Sequence, residues 1–471
     1  METPKIGLIG LTAELYQTKA PDLVNDLAKF SNELNKVMGK SAKVIHIPLV
    51  YTRAQMEDAC VKLKKEKVEG IILVFLSYSP SLIIAPVLKK YQDIPILLWN
   101  TQKLYVIDQK FKAYDTSLNH GMHGIQDTAN VLLRENIKFS LITGHYQDKS
   151  VLEKIDKWCK AASLVNLLKK ARIARIGGRF KDMGDFAVGD EKITEILGPE
   201  ILDVSVDKIA EESLKIKRSE IERVMESDRR DFKIGKSLDK KTHLISARLE
   251  LGFRRIIQGE KLEGLGINFM GFKGEEGCES IPFSAISKFM AEGMGYGGEG
   301  DVLCATSVLI MQRLCGIGGF VEMFTTDYKN NRILFEHMGE SNLKMTKNKK
   351  EVMLVKKDLD LIKKGLSTAM FLFPLKPGKV TLFNIAPSEN GFKFIVSRGE
   401  ILNKLLFKDI NAPHFLFKVN GKVEDFLTEY SKLGGTHHSA MAYGDKTEEI
   451  KFLSKIMNIP VFEIDLIKKI F

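Results

Sequence analysis

Three stretches of this chain hold side chains able to bind one divalent metal ion. They are Gly295-Tyr296-Gly297-Gly298-Glu299-Gly300-Asp301, Glu336-His337-Met338-Gly339-Glu340 and Gly434-Gly435-Thr436-His437-His438-Ser439. One carboxylate and two imidazoles form a mixed oxygen–nitrogen set, which suits Mn²⁺, Fe²⁺, Co²⁺ or Zn²⁺ better than Ca²⁺. The glycines around Glu299 let the backbone pack closely and leave the carboxylate uncrowded. His337 ends the apolar run Ile333-Leu334-Phe335, and Glu322 and Glu340 are carboxylates placed to accept its second N–H, as outer partners do at metal sites. His437 and His438 are adjacent, and successive side chains of an extended segment point to opposite faces. One is therefore expected to face a metal, and the other to bind substrate or anchor the loop. Taken singly, each stretch also fits a tight turn or a buried histidine. The chemistry requires that distant segments meet in the fold.

His120-Gly121-Met122-His123-Gly124 is a second histidine cluster. Its i, i+3 spacing would pair two imidazoles on a helix, but the two glycines favour a loop or a helix start. Substrate contact is the functional expectation here, set against an ordinary surface or core histidine pair.

The elements that must position these residues follow from hydrophobic patterning. At 471 residues the chain exceeds one hydrophobic core, and two or three domains are expected. Apolar strand-like runs at 5–10, 43–48, 70–76, 95–99 and 138–143 alternate with amphipathic helical stretches such as 20–38 and 53–66. That alternation indicates a parallel sheet covered on both faces. Strand ends in such sheets face the ligand crevice, which puts Ser77-Tyr78-Ser79-Pro80, Asn100-Thr101-Gln102 and Gly144-His145 at the functional edge. A helix near 149–170 leads to a second α/β segment with strands at Ile173 and Gly264, helical stretches near 207–230 and 239–258, and helices from Pro282 and at 301–315. After residue 318 short alternating strands dominate, at 320–325, 332–336, 351–355, 379–385, 392–398 and 414–418, with helices near 423–433 and 446–457. The expected fold is two doubly wound α/β domains, 1–168 and 169–318, followed by a β-rich, antiparallel, barrel-like domain over 319–471.

Composition narrows the function classes. The net charge of +11 is spread through helices in which lysine sits beside glutamate, as in Lys62-Leu63-Lys64-Lys65-Glu66-Lys67. With no arginine-rich arm or aromatic RNA-binding signature, this reads as a solvated basic surface, not a nucleic-acid footprint. Five scattered cysteines without a Cys-x-x-Cys pair argue against a disulfide framework or a structural zinc site. No apolar run reaches the roughly 18–20 residues of a membrane span. The N-terminus lacks a signal-peptide pattern, so a cytoplasmic protein is expected.

Several short motifs carry a family resemblance. They are Leu15-Tyr16, Ser79-Pro80, Asn100-Thr101-Gln102, His123-Gly124, Gly144-His145-Tyr146-Gln147-Asp148-Lys149, Gly295 to Asp301, Glu322, His337-Met338, Glu340 and Gly434-Gly435 with His437-His438. Through them the chain resembles the L-arabinose isomerase family, within the wider arabinose/fucose isomerase group. The resemblance implies an aldose–ketose isomerase working through an enediol, usually with Mn²⁺ held by two glutamates and two histidines. It implies active sites between subunits of a homo-oligomer. Glu299, His337 and His438 carry over as ligands, with Glu299 also the catalytic acid/base. His123 would reach substrate, and Tyr78 stands where the family has phenylalanine. Ala13 replaces a family glutamine. Met270 falls where a metal-binding glutamate is expected after Phe269, leaving Glu275, Glu276 or Glu279 as substitutes. These departures point to an isomerase or epimerase on a sugar other than L-arabinose. The alternatives are a non-catalytic sugar-binding homologue that has lost one glutamate, and another metal-dependent reaction such as lyase or hydrolase chemistry.

Overall fold

The computed structural model describes residues 3–360, 362–402, 407 and 409–464. Two compact units divide the chain. One is built from residues up to Asn166 together with Glu448–Asn458, and the other from Leu167–Thr447 and the segment from Ile459.

The first unit is a five-stranded parallel sheet of β1 (Lys5–Leu11), β2 (Lys43–Val50), β3 (Gly70–Phe75), β4 (Ile96–Asn100) and β5 (Ser140–Thr143), in the order β2-β1-β3-β4-β5. β3 reads Gly-Ile-Ile-Leu-Val-Phe and is buried at every residue, as a central parallel strand covered on both faces must be. Helix Pro21–Met38 presents Leu23, Leu27, Phe30, Leu34 and Met38 to one face at helical spacing. On the other, helix Arg53–Lys65 starts with a capping box between Thr52 and Gln55.

The second unit begins with β6 (Arg172–Ile176) and β7 (Glu200–Val204), continues with the two-residue β8 (Lys233–Ile234), and then β9 (Gly264–Ile267) and β10 (Gly295–Gly298). Strands β10-β9-β6-β7 form a parallel sheet. The charged stretch expected as one helix is two, Val206–Leu214 and Arg218–Asp231. The second opens where the Glu220 carboxylate accepts from the Lys217 backbone N–H at 3.1 Å.

The strand-rich remainder comprises β11 (Gly319–Asp327), β12 (Arg332–Glu336), β13 (Met353–Asp358), β14 (Ser367–Leu372), β15 (Gly378–Ser388), β16 (Gly391–Ile401), β17 (His414–Val419), β18 (His438–Tyr443) and β19 (Val461–Glu463). The sheet β15-β18-β11-β12-β17-β16 closes on itself through β15–β16 pairing. The ring is antiparallel throughout, and β19 adds in parallel outside β16. Closure removes the exposed strand edges of an open sheet. Phe335, Leu354, Phe371, Phe373 and Phe417, all at 0% exposure, belong to the core of this region. β14, β13 and β8, with β13 in the middle, form a separate small sheet outside the ring. The expected fold class, α/β with parallel sheets followed by an antiparallel barrel-like region, is what the chain adopts. Among the described residues no helix is long and apolar enough to cross a membrane.

Candidate metal centre

Glu299 sits where β10 hands over to a buried helix, Val302–Cys315. The glycines around it are packing requirements. A Cβ on Gly297 would lie 1.9 Å from the Asp301 carbonyl oxygen, and one on Gly298 would lie 3.0 Å from His337 Cε1. Glu299 itself adopts a left-handed φ of +59°, uncommon outside glycine and a recurrent feature of functional turns. Its carbonyl accepts from the Phe180 backbone N–H at 3.1 Å. Asp301 caps the helix by accepting from the Cys304 N–H at 2.8 Å, and keeps its other oxygen for the site.

The barrel supplies the rest. Glu322 on β11 lies opposite His438 on β18 in antiparallel register, so both project from adjacent strands at one level. His337 follows directly after β12. Its Nδ1 lies 2.8 Å from Glu340 Oε1, and its Nε2 3.6 Å from Glu322 Oε2. The same Glu340 oxygen accepts from the Tyr296 hydroxyl at 2.5 Å. Phe320 packs edge-on against His337, ring centres 4.8 Å apart, and lies 4.9 Å from the His438 ring. His337 thus has Glu340 close to Nδ1 without hydrogen-bond geometry and Phe320 packed against the ring, with Nε2 toward Glu322.

His438 has its Nδ1 3.1 Å from Asp301 Oδ2. Its Nε2 is buried, 3.6 Å from Glu299 Oε2, with no hydrogen-bond partner among the described residues. An orphaned buried nitrogen costs on the order of 1–3 kcal/mol unless something fills its lone pair. His437 differs: Nδ1 lies 2.7 Å from Asp185 Oδ2 and Nε2 lies 3.2 Å from Glu299 Oε2.

Electrostatics separate the two neighbours. Burial, then the adjacent His437 and His337, push His438 well below the usual imidazole range, which favours its neutral form. For His437 burial acts downward, but hydrogen bonds to Asp185 and Glu299 outweigh it and lift the group to about 10. Burial also opposes the charged form of His337, and the Glu340 carboxylate outweighs it, raising that group. Burial raises Glu322, while Glu299, though half buried, is held low by His437 and the other histidines. Asp301, fully buried, is raised to about 7 by desolvation.

Two sets of candidate ligand atoms result, Glu299–His437–His438 and Glu322–His337–His438, with the atoms of each within 4.8 Å of one another. His438 belongs to both. Two carboxylates, two imidazoles directed by outer carboxylates and one unfilled buried lone pair make a donor set that fits a divalent transition ion.

Three expectations change. The second carboxylate beside the histidines is Glu322, expected only to orient His337. Met270 instead lies 49% exposed on the turn Phe269–Gly271. None of the loop glutamates takes its place: Glu279 is tied to Arg248, and Glu275 and Glu276 are exposed. Third, alternation does not send the His437 and His438 rings apart. His437 lies at a bend before β18 begins, so the ring centres are only 4.0 Å apart and both face Glu299. Sequence reasoning missed Asp185, Tyr296 and Asp301 as partners. Asp301 had a readable signal, because an acidic residue opening a helix is a capping position.

His120 and His123 do form an i, i+3 pair at the start of helix Gly121–Arg134, Nε2 to Nδ1 at 2.6 Å, with the Tyr78 ring 6.1 Å from His120. Neither belongs to a candidate ligand set among the described residues.

Comparison with known proteins follows this geometry. The L-arabinose isomerase N-terminal domain matches residues 4–170, its central domain 172–316 and its C-terminal domain 318–460. An L-arabinose isomerase of Yersinia pestis is 23% identical, with 96% of this chain and 92% of that protein covered. One from Yersinia pseudotuberculosis gives the same values, 23%, 96% and 92%. One from Shouchella clausii is 24% identical over 74% of this chain and 72% of that protein. Three consecutive domain matches, spanning nearly the whole chain and containing every residue of the cluster, make it a member of the L-arabinose isomerase family.

Proposed function

We propose that the protein is a metal-dependent aldose–ketose isomerase (or epimerase) acting on a sugar through an enediol, with Glu299, Glu322, His337 and His438 as ligands. Mn²⁺ is the preferred ion, with Co²⁺, Fe²⁺ and Zn²⁺ as the other candidates. The observation that carries this reading is that Glu299 and Glu322 each lie within ligand reach of His438, whose Nε2 is buried and unpartnered among the described residues, with His337 completing the Glu322 group. A bound divalent ion supplies Lewis-acid polarisation of oxygens on adjacent substrate carbons.

The chain's own residues do the rest. Glu340 and Asp301 fix the ring orientations of His337 and His438. Glu299, fixed by its left-handed turn and by His437, takes the proton from C2 and returns it to C1, and the hydroxyl proton lost from O2 is matched by one gained at O1. Glu322 flanks the same space from β11. The reading also includes substrate contacts from His123 and Tyr78, assembly as a homo-oligomer, and a cytoplasmic location. Glu322 beside His337 and His438 supports the catalytic reading over the alternative of a non-catalytic sugar-binding homologue.

The test is a screen of aldoses and ketoses with Mn²⁺ in D₂O, read by product NMR. Deuterium at C1 or C2 of an interconverted pair is expected. Metal bound without exchange on any sugar would move the site to lyase or hydrolase chemistry. Neither metal nor exchange would restore the non-catalytic alternative.

A further inference from the structure

Asp185 belongs to none of the motifs above, yet its Oδ2 meets His437 twice. It lies 2.7 Å from Nδ1 and accepts from the His437 backbone N–H at 3.0 Å. Its other oxygen, Oδ1, is buried without a partner among the described residues, so Asp185 is committed to His437. The far ring nitrogen of His437 then lies 3.2 Å from Glu299 Oε2. A carboxylate only accepts, so each of these contacts favours an N–H on the nitrogen it faces. Both ring nitrogens of His437 thus face carboxylates, whereas His438 Nε2 has no hydrogen-bond partner among the described residues. The contact is part of a strap. A Cβ on Gly300 would lie 2.3 Å from the Gly178 carbonyl oxygen, and Phe180 N–H donates to the Glu299 carbonyl. Phe186, 2% exposed, stacks 5.9 Å from the His438 ring. The segment 178–186 therefore touches Glu299, Gly300, His437 and His438 in turn.

We propose that Asp185 is a positioning residue: through His437 it holds Glu299 Oε2 in place and leaves metal ligation to His438, the neighbouring histidine. The inference rests on the metal-centre reading above. Outer partners of ligands typically contribute 10–100-fold in affinity or activity. Because Asp185 acts through His437, the two should be coupled and not additive.

The experiment is a double-mutant cycle of Asp185→Asn, His437→Gln and the double variant, with Mn²⁺ affinity from titration calorimetry and kcat and KM on the sugar identified by the isotope screen. Each single change is expected to weaken Mn²⁺ binding about tenfold and to lower kcat more than KM, and the double variant to be no worse than His437→Gln alone. Asp185→Asn within twofold of wild type, or effects that multiply in the double variant, would overturn the proposal. Asp185→Glu keeps the charge and shifts the carboxylate by one methylene. It serves as the second variant if Asp185→Asn does not fold, and a smaller loss of the same kind is expected. His438→Ala controls for the underlying reading. If it retains Mn²⁺, the metal centre is wrong, and coupling between Asp185 and His437 is then judged from thermal unfolding of the metal-free proteins, where additive Tm shifts would sink it separately.

Discussion

Two histidine clusters of the same chain show what makes an imidazole fit for ligation. His120 and His123 face one another at 2.6 Å at a helix start, His123 exposed, with no carboxylate paired to either among the described residues. His337, His437 and His438 each have one ring nitrogen 2.7–3.1 Å from a carboxylate oxygen, of Glu340, Asp185 and Asp301 respectively. His337 and His438 are nearly fully buried, at 6% and 0% exposure. A free pair can share a proton, rotate and meet water. A pinned, buried ring presents one chosen nitrogen, which is what a metal needs. Proximity of histidines is common to both places. Carboxylates on the far side of each ring, and the rigidity of a closed barrel, distinguish the second.

The comparison can be broken most sharply at the pinned rings. His337→Ala and His438→Ala are each expected to abolish Mn²⁺ binding, since neither carboxylate can replace a removed nitrogen. His120→Ala with His123→Ala should leave metal stoichiometry unchanged. Elemental analysis of the reconstituted proteins reads both. Glu322→Gln is expected to weaken Mn²⁺ binding at least about a hundredfold, beyond the range typical of outer partners. Met270→Glu should leave affinity within about twofold, since Met270 is half exposed on the turn Phe269–Gly271 and Glu322 already stands beside the histidines; a tenfold gain would return the second carboxylate to that position. Gly298→Ala places a methyl 3.0 Å from the His337 ring and must displace it by a few tenths of an ångström. An activity loss of about tenfold is expected, as small misplacements of catalytic groups carry such costs. Unchanged kcat there would mean the His337 ring is not held as tightly as the packing indicates.

Much of this was readable without coordinates, and the failures have definite causes. The parallel strands β1, β3 and β4 declare themselves because a strand buried on both faces is an unbroken apolar run, as in Gly-Ile-Ile-Leu-Val-Phe. Glu299 shows because glycine crowds around it, and those glycines answer to close backbone contacts. The role of Glu322 did not show, because it depends on register with His438 across β11 and β18. β18 reads His-Ser-Ala-Met-Ala-Tyr, small residues with little strand signal, and it follows two glycines, so no strand was expected there. Without β18 the sequence shows no neighbour for Glu322 on that side, and the family resemblance places the second carboxylate at Met270. Asp185 meets His437 across 252 residues, a separation no local pattern reports. The alternation rule for His437 and His438 holds only inside a strand, and His437 lies just outside one.

Glu299, Glu322, His337 and His438 are proposed to hold one divalent ion together. Titrating Mn²⁺ into metal-free wild type and His438→Ala, with free ion followed by electron paramagnetic resonance, reads this without recourse to substrate. Saturable uptake of about one ion per chain is expected in the wild type, and none in the variant while its unfolding temperature stays near that of the metal-free parent. Equal uptake by the two proteins would contradict it.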